Sequence, residues 1–527
     1  MSDAIVIGGG IAGLASAALL AADGHSVRVL ERNARLGGRA GVLEEQGFRF
    51  DTGPSWYLMP RVFDHFFELL GTSTAEQLDL TVLDPGYRVF AEPAAGEAPR
   101  PPLDIPHGSA SVREVFESRE PGAGSRLGSY LDSAGEAAAL AERFFLYNPF
   151  TRPSSLLDRE VLRATPRLLT LLGTSLERFV ARRFRDPVLR QILGYPAVFL
   201  GTRPSDAPAM YHLMSALDLD EGVQYPMGGF WALVERLEAL AREAGAEIIT
   251  EAEAVRISTA PGGSGRRRSR ATGAIWRGRD GAERSESADI VVSAADLHHT
   301  ETALLSEADQ SYPERWWSRR VSGPGGVLLL LGVSGSLPSL PHHSLLFAAD
   351  WKQNFDAIFG ARPRVPDPAS LYMCRPSATE PGVAPPDHEN LFVLVPVPAD
   401  PDLGGGGDPA VEAAADAAID RIAEWAGIPD LRERIVFRRT IGPRDFAEDY
   451  RAWSGGMLGP AHVLSQSALF RAQNESKRVS GLFYAGGTTA PGVGVPMCLI
   501  SAELVLKRVR GDRSAGPLPT PLRAGKL

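Results

Sequence analysis

Ala4-Ile5-Val6-Ile7-Gly8-Gly9-Gly10-Ile11-Ala12-Gly13, followed by an Ala- and Leu-rich run to Ala22 and by Ser26-Val27-Arg28-Val29-Leu30-Glu31, decides the fold. A short apolar run, a glycine cluster, an amphiphile-free helical run and a β-branched run predict strand over 4–7, helix over 11–22 and strand over 26–30. That order is a βαβ unit. Gly8, Gly10 and Gly13 form a G-x-G-x-x-G between the first strand and the helix. Gly8 allows the tight turn, Gly10 lets backbone N–H groups approach a pyrophosphate, and Gly13 permits close helix–strand packing. The helix start adds the positive end of its dipole. Glu31 follows Gly13 by eighteen residues, at the end of the return strand. A carboxylate there accepts hydrogen bonds from an adenosine ribose and repels a 2′-phosphate, which argues against NADP. The nineteen uncharged residues from Ala4 to Ala22 imitate a membrane span, but Asp3 precedes them, no basic start does, and three adjacent glycines interrupt them.

A second glycine–arginine loop separates FAD from NAD. Arg35-Leu36-Gly37-Gly38-Arg39 comes directly after the acidic residue, and Asp51-Thr52-Gly53-Pro54 soon after. Two glycines allow another backbone approach to an anion, and Arg39 can grip phosphate with both arms of its guanidinium. Nicotinamide folds carry no such loop at this place, so the expected cofactor is FAD. The R-x-G-G-R pattern resembles that of flavoproteins of the amine oxidase and carotenoid desaturase superfamily. Near the other end, Leu482-Phe483-Tyr484-Ala485-Gly486-Gly487-Thr488 reads as a strand entering a glycine turn. Gly492-Val493-Gly494-Val495-Pro496 then leads into a last helix, for which Pro496 suits the first turn. Backbone N–H groups at that helix start suit the O2/N1 edge of a reduced flavin. The two halves of this site lie more than 470 residues apart. The FAD domain is therefore expected to be discontinuous.

The expected fold class is α/β: a discontinuous Rossmann-like FAD-binding domain over 1–105, 225–300 and 470–510, with an inserted α+β substrate domain and a helical lid region. The insertions are 106–224 and 301–469, the former mostly helical, and 511–527 reads as a disordered tail. Within the 527 residues, helices are expected at Trp231–Glu243, Ala410–Ala426 and Met497–Val509, and strands at Glu247–Thr250, Ala288–Ala294, Val327–Val333, Leu391–Val397 and Gly481–Ala485. A hydrophobic fraction of 44% with 23% charged residues excludes wholesale disorder. A net charge of −9 argues against a nucleic-acid partner. Cys374 and Cys498 are too few for a disulfide framework.

Further segments extend the resemblance over nearly the whole chain, to the bacterial-type phytoene desaturases of the carotenoid desaturase family. They are Tyr225-Pro226-Met227-Gly228-Gly229-Phe230, Asp289 to Asp296, Arg375 to Glu380, Gly442-Pro443-Arg444-Asp445-Phe446 and Leu464 to Arg471. The resemblance implies cofactor contacts at Gly8, Gly10, Gly13, Glu31, Arg32, Gly38, Arg39, Gly53, Pro54, Val255, Gly487, Gly494, Val495 and Met497. It implies stepwise dehydrogenation of phytoene toward lycopene, an allylic CH₂–CH₂ unit losing hydride to flavin N5 and then a proton. The cofactor carries the hard chemistry and the protein supplies a dry, shaped channel. A hydrocarbon offers no hydrogen-bonding handle, and channel discrimination is worth only about 1–3 kcal/mol per methylene, so leaky product length is expected. Asp445 and Glu380 are the candidate proton acceptors, with Arg444 tuning charge nearby and water as the alternative.

The implied partners are a long-chain polyene hydrocarbon, a lipid bilayer surface and an electron acceptor, quinone or oxygen. A cytoplasmic protein held peripherally on the inner face of the membrane is expected. Val62–Leu70 and Val161–Phe179 are candidates to rim the channel mouth, or else core. The pairs His298-His299 and His342-His343 would diverge on a strand and lack carboxylates at ligand spacing, so no metal is expected. Cys498 reads as a small core residue, and Arg266-Arg267-Arg268 with Arg270 as the cap of an exposed hairpin over Thr259–Ser269. Rival readings are another carotenoid-modifying flavoenzyme (a later dehydrogenase, ketolase-like oxidase or isomerase) and a prenyl-binding protein on the same scaffold, as in the GDP-dissociation inhibitors.

Overall fold

The strand Asp3–Ile7, the helix Ile11–Ala22 and the strand Ser26–Leu30 form the expected βαβ unit in the computed structural model, which describes residues 2–93, 101–151, 158–262 and 269–522. Every residue from Ile11 to Ala21 is buried. A helix that is apolar all round needs partners on all sides. It finds them in the sheet and in the helices Gly229–Glu243 and Val495–Arg510. The five-stranded parallel sheet runs in the order Leu482–Tyr484, Ile290–Ser293, Asp3–Ile7, Ser26–Leu30, Glu247–Ile249. Segments from both ends of the chain thus share one sheet. A Cβ at Gly13 would stand 1.9 Å from the Gly8 carbonyl oxygen, and Gly8 itself has φ +100°, so the turn and the helix approach both require glycine.

A seven-stranded sheet builds the inserted domain, in the order Ile435–Ile441, Gly325–Ser334, His388–Val397, Leu371–Cys374, His343–Phe347, Tyr87–Ala91, Leu103–Ile105. Side chains alternate between its two faces. Val327, Leu329, Leu331 and Val333 join the core beneath the helix Pro409–Trp425, whereas Leu328 and Leu330 join the core shared with the helical layer. Both faces are covered, which is why Gly325–Ser334 reads as an unbroken apolar run. The helices Ser109–Arg119, Ala123–Ala141, Arg159–Gly173 and Pro187–Gly194 close over the second face.

Two expectations need correction. The strand Tyr87–Ala91 pairs in parallel with His343–Phe347 and antiparallel with Leu103–Ile105, so these two strands belong to the second sheet rather than to the first FAD segment. The tail is packed up to residue 522: Leu518 is buried and its N–H donates to Glu503, while Lys507 Nζ donates to the carbonyls of Ser514 and Gly516. Residues 523–527 lie outside the described residues, as do Arg266–Arg268 of the expected hairpin tip. The helix Pro60–Leu69 is core, with Val62, Phe63, Phe66 and Phe67 buried. Among the described residues no helix is long and apolar enough to cross a membrane.

Asp218 sits in the core of the helical layer, where Tyr195 Oη donates to its carboxylate at 2.6 Å and Tyr87 Oη at 3.3 Å. Burial pushes its pKa up to about 7. The folded state then holds this proton more tightly than the unfolded chain, and the associated stability is lost as pH rises from about 4 to about 7. The thermal midpoint of Asp218→Asn should therefore gain on that of the natural protein between pH 5 and pH 8, by roughly 3–10 K. A gap that stays constant with pH contradicts a protonated Asp218.

Candidate active site

A cavity of about 760 Å³ opens at the carboxyl ends of the parallel strands, beside Ile7, Leu30 and Ala294. In open α/β sheets that is where ligands bind. Gly8, Gly10, Glu31, Arg32, Gly38, Arg39, Gly53, Pro54, Gly487, Gly494, Val495 and Met497 all line it. Gly13 lies beneath it as a packing position. Val255 does not line it: a register shift in the strand Glu253–Pro261 falls at that residue, and its neighbours Glu253 and Ala254 face the cavity instead.

The polar groups of this half fit a dinucleotide. The Glu31 carboxylate is buried and accepts from the N–H groups of Gly9 at 2.6 Å and Asn33 at 2.7 Å, while burial raises its pKa. Arg32 Nη2 donates to the Glu448 carbonyl, yet its Nη1 is buried without a hydrogen-bond partner. Arg39 Nε and Nη2 are likewise unpartnered, 3.7 Å being the closest approach of this guanidinium to the Asp296 carboxylate. Buried donors left unmade are rare, and two guanidinium groups facing one cavity suit an anionic phosphate. At the far side the helix Val495–Arg510 starts against the same cavity, its first-turn N–H groups free of helical partners.

Arg471 holds the C-terminal turn in place. It is buried and donates to the carbonyls of Thr489 at 2.9 Å, Gly487 at 2.6 Å and Pro460 at 3.3 Å, and burial lowers its pKa to about 10. Sequence reading places Arg471 in a family-like run without assigning it this task. A second missed group lies deeper in the cavity: Tyr211 Oη is 2.9 Å from His462 Nδ1 and 3.0 Å from Ser467 Oγ, and all three residues line the wall. No local pattern announces it, because positions 211 and 462 meet only in the folded chain.

Beyond the glycine turns the cavity becomes an apolar tunnel between the helical layer and the second sheet, lined by Trp56, Phe199, Leu217, Leu328, Phe392 and Met457 among others. Asp445, Glu380 and Arg444 are not part of its lining. Asp445 accepts from the N–H groups of Gly406 and Gly442, each at 2.7 Å, and so caps the helix Pro443–Tyr450. That helix turns Phe446, Asp449 and Tyr450 to the cavity and Asp445 away from it. Arg444 pairs with Asp408 at 2.7 Å, and Glu380 accepts from Tyr225 Oη at 2.7 Å and Gly228 N–H at 3.0 Å. Their hydrogen-bonding capacity is committed to the scaffold. The histidine pairs also depart from expectation: His298-His299 lies on the helix Leu297–Ala303, and the rings of His342 and His343 converge to 4.5 Å.

These features define an FAD-dependent oxidoreductase. The chain belongs to the flavin containing amine oxidoreductase family, whose model matches residues 11–509. It is similar to the carotenoid 3,4-desaturase of Haloarcula japonica, 40% identical over 501 residues that cover 95% of this chain and 96% of that protein. The zeta-carotene-forming phytoene desaturase of Myxococcus xanthus is 34% identical over 509 residues, covering 96% and 93%. Among solved structures an oxidoreductase from Methanosarcina mazei matches with a TM-score of 0.61 at 17% identity over 96% of this chain and 100% of that one, a likeness of fold.

Arg39→Ala should bind FAD roughly 10- to 100-fold more weakly, the loss of a charge-assisted hydrogen-bonding group. Arg444→Ala, altered outside the cavity, should retain natural occupancy. Flavin absorbance per chain after dialysis measures both, and full retention by Arg39→Ala contradicts the phosphate assignment.

Proposed function

We propose that this protein desaturates an acyclic carotenoid, with phytoene taken stepwise toward lycopene as the first reading. One observation carries it: the dinucleotide cradle and an apolar tunnel are a single continuous cavity. Bound FAD supplies the hydride acceptor. Arg32, Arg39 and the glycine turns would hold its phosphates, Glu31 its ribose, and the start of the helix Val495–Arg510 its ring end. The tunnel walls bind the polyene by apolar burial and keep water away. Tyr211 Oη, which donates to Ser467 Oγ and meets His462 Nδ1 at 2.9 Å, is a neutral polar point on the wall that can hydrogen-bond a water, the acceptor for the proton that a desaturated carbon releases. Burial holds the His462 imidazole well below its usual pKa, so it enters the reaction uncharged.

A second reading concerns which bond reacts. The relative with the higher identity of the two described is named a 3,4-desaturase, which supports action near the end of an already desaturated chain. Expression in one host that accumulates phytoene and another that accumulates lycopene separates the two readings. New chromophores in the first host favour the first reading, and conversion only in the second favours the other. No conversion in either contradicts both.

The tunnel mouth supports docking on a bilayer. Leu464, Leu469 and Phe470 line it and are exposed, Phe470 by 63%, and Leu172 of the helix Arg159–Gly173 also lines it and is 38% exposed. Clustered apolar side chains around a ligand entrance mark an interaction surface, and an insoluble substrate resides in lipid. Quinone in that same bilayer, or oxygen, would reoxidise the enzyme. Leu469→Asp with Phe470→Asp should cut sedimentation with liposomes at least fivefold while leaving FAD content intact, and undiminished sedimentation contradicts this docking face.

A further inference from the structure

The strands His343–Phe347 and Leu371–Cys374 pair antiparallel with His343 opposite Cys374. Cross-strand partners present their side chains on the same face. His342, one residue before the strand, folds its ring back to 4.5 Å from that of His343. One donor atom from each of His342, His343 and Cys374 lies within 4.8 Å of the others, and all three residues are buried. We propose that these three side chains form a zinc site, behind the tunnel wall and separate from the flavin.

The hydrogen bonding around the imidazoles carries the argument. His342 Nδ1 shares a 2.7 Å hydrogen bond with Thr379 Oγ1, and His343 Nδ1 a 2.8 Å bond with Tyr372 Oη. Both Nε2 atoms are buried with no partner. A ligating histidine is characteristically anchored through one nitrogen and presents the other to the metal. Two orphaned imidazole nitrogens beside one thiol are an incomplete ligand set, and burying them unpaired costs free energy. The rings are also fixed in orientation, His343 stacked on Trp56 at 4.8 Å and 15°, and His342 against Tyr225 at 4.5 Å.

Two nitrogens and a thiolate are a borderline-soft donor set that suits zinc, with a water or a further ligand completing the tetrahedron. Tetrahedral ligand atoms at zinc bond lengths stand roughly 3.5 Å apart. The three residues already offer one ligand atom each within 4.8 Å of the others, and binding would draw them in to that spacing. Binding releases the Cys374 proton, leaving one net positive charge. The surrounding charge is mixed: Asp51 lies within electrostatic reach of Cys374 and Glu380 accepts from Tyr225, the ring packed on His342, while Arg49 pairs with Glu380 and Arg375 acts on His342. Because Tyr372 and Trp56 also line the tunnel, the ion would tie two strands together and hold that stretch of wall rigid.

The full-length flavoprotein, purified without a metal-affinity tag from zinc-supplemented cells, should carry about one zinc per chain by elemental analysis. Its zinc-edge X-ray absorption should show one sulfur and two nitrogens from imidazole. Cys374→Ser and His342→Gln should each lower zinc at least tenfold with FAD per chain unchanged. Zinc absent from the natural protein, or a first shell without sulfur, overturns the proposal even if neither variant folds. Equal zinc in the natural protein and folded variants overturns it as well.

Discussion

The pairing of Leu482–Tyr484 with Ile290–Ser293 is the constraint on which the rest depends. Val291 N–H donates to the Gly481 carbonyl and Ala485 N–H to the Ser293 carbonyl, both at 2.9 Å, so the last strand enters the sheet in fixed register. That register delivers Gly486 and Gly487 to the cavity edge opposite Gly8 and Gly10. The following helix then packs along the first one, and Arg510 pairs with Asp23 at its far end. Closing the long excursion between these strands is less costly than its length suggests. Loop-closure entropy grows only logarithmically, about 0.6 kcal/mol per doubling. A whole second domain can therefore sit inside the first without weakening the cofactor cradle.

The second sheet solves a different problem with the same periodicity of two. Odd positions of Gly325–Ser334 bury against the helix Pro409–Trp425 and make the sheet rigid, while even positions face the tunnel side. The same parity continues through Tyr372 and Cys374, opposite Leu345 and His343. One face anchors; the other forms the wall. Polar side chains on the wall face are linked into a short chain, Ser55 to Tyr372 and Tyr372 to His343 Nδ1.

Legibility in the sequence followed the range of the interactions involved. Residues 4–31 were readable because a helix period, a strand run and a glycine turn are set by neighbours along the chain. The C-terminal turn was readable for the same reason. Tyr87–Ala91, His343–Phe347 and Leu371–Cys374 were not identified as strands, since runs of four or five residues acquire their state from partners far away in sequence. Val255 missed the cavity through a one-residue irregularity, which shifts every side chain to the other face. The tail looked disordered by composition, yet Leu518 and the Lys507 ammonium give it specific contacts that composition does not express. Arg471 was visible as a residue and invisible as a clamp.

The misplaced carboxylates follow from the nature of the tunnel. An acidic side chain on an apolar wall either stays protonated or bears an uncompensated charge, and both outcomes raise its pKa. Glu31 and Asp218 display this effect even with hydrogen bonds available to them. Asp445, Glu380 and Asp408 avoid it by accepting from backbone N–H groups, tyrosine and arginine away from the wall. An apolar wall thus favours neutral hydroxyl and imidazole groups over ionised acids. Tyr211 and His462 are such groups: they hydrogen-bond to each other and carry no charge at rest. Sequence motifs rank acids as candidate bases by residue type; the dielectric of the finished cavity decides which of them can face it.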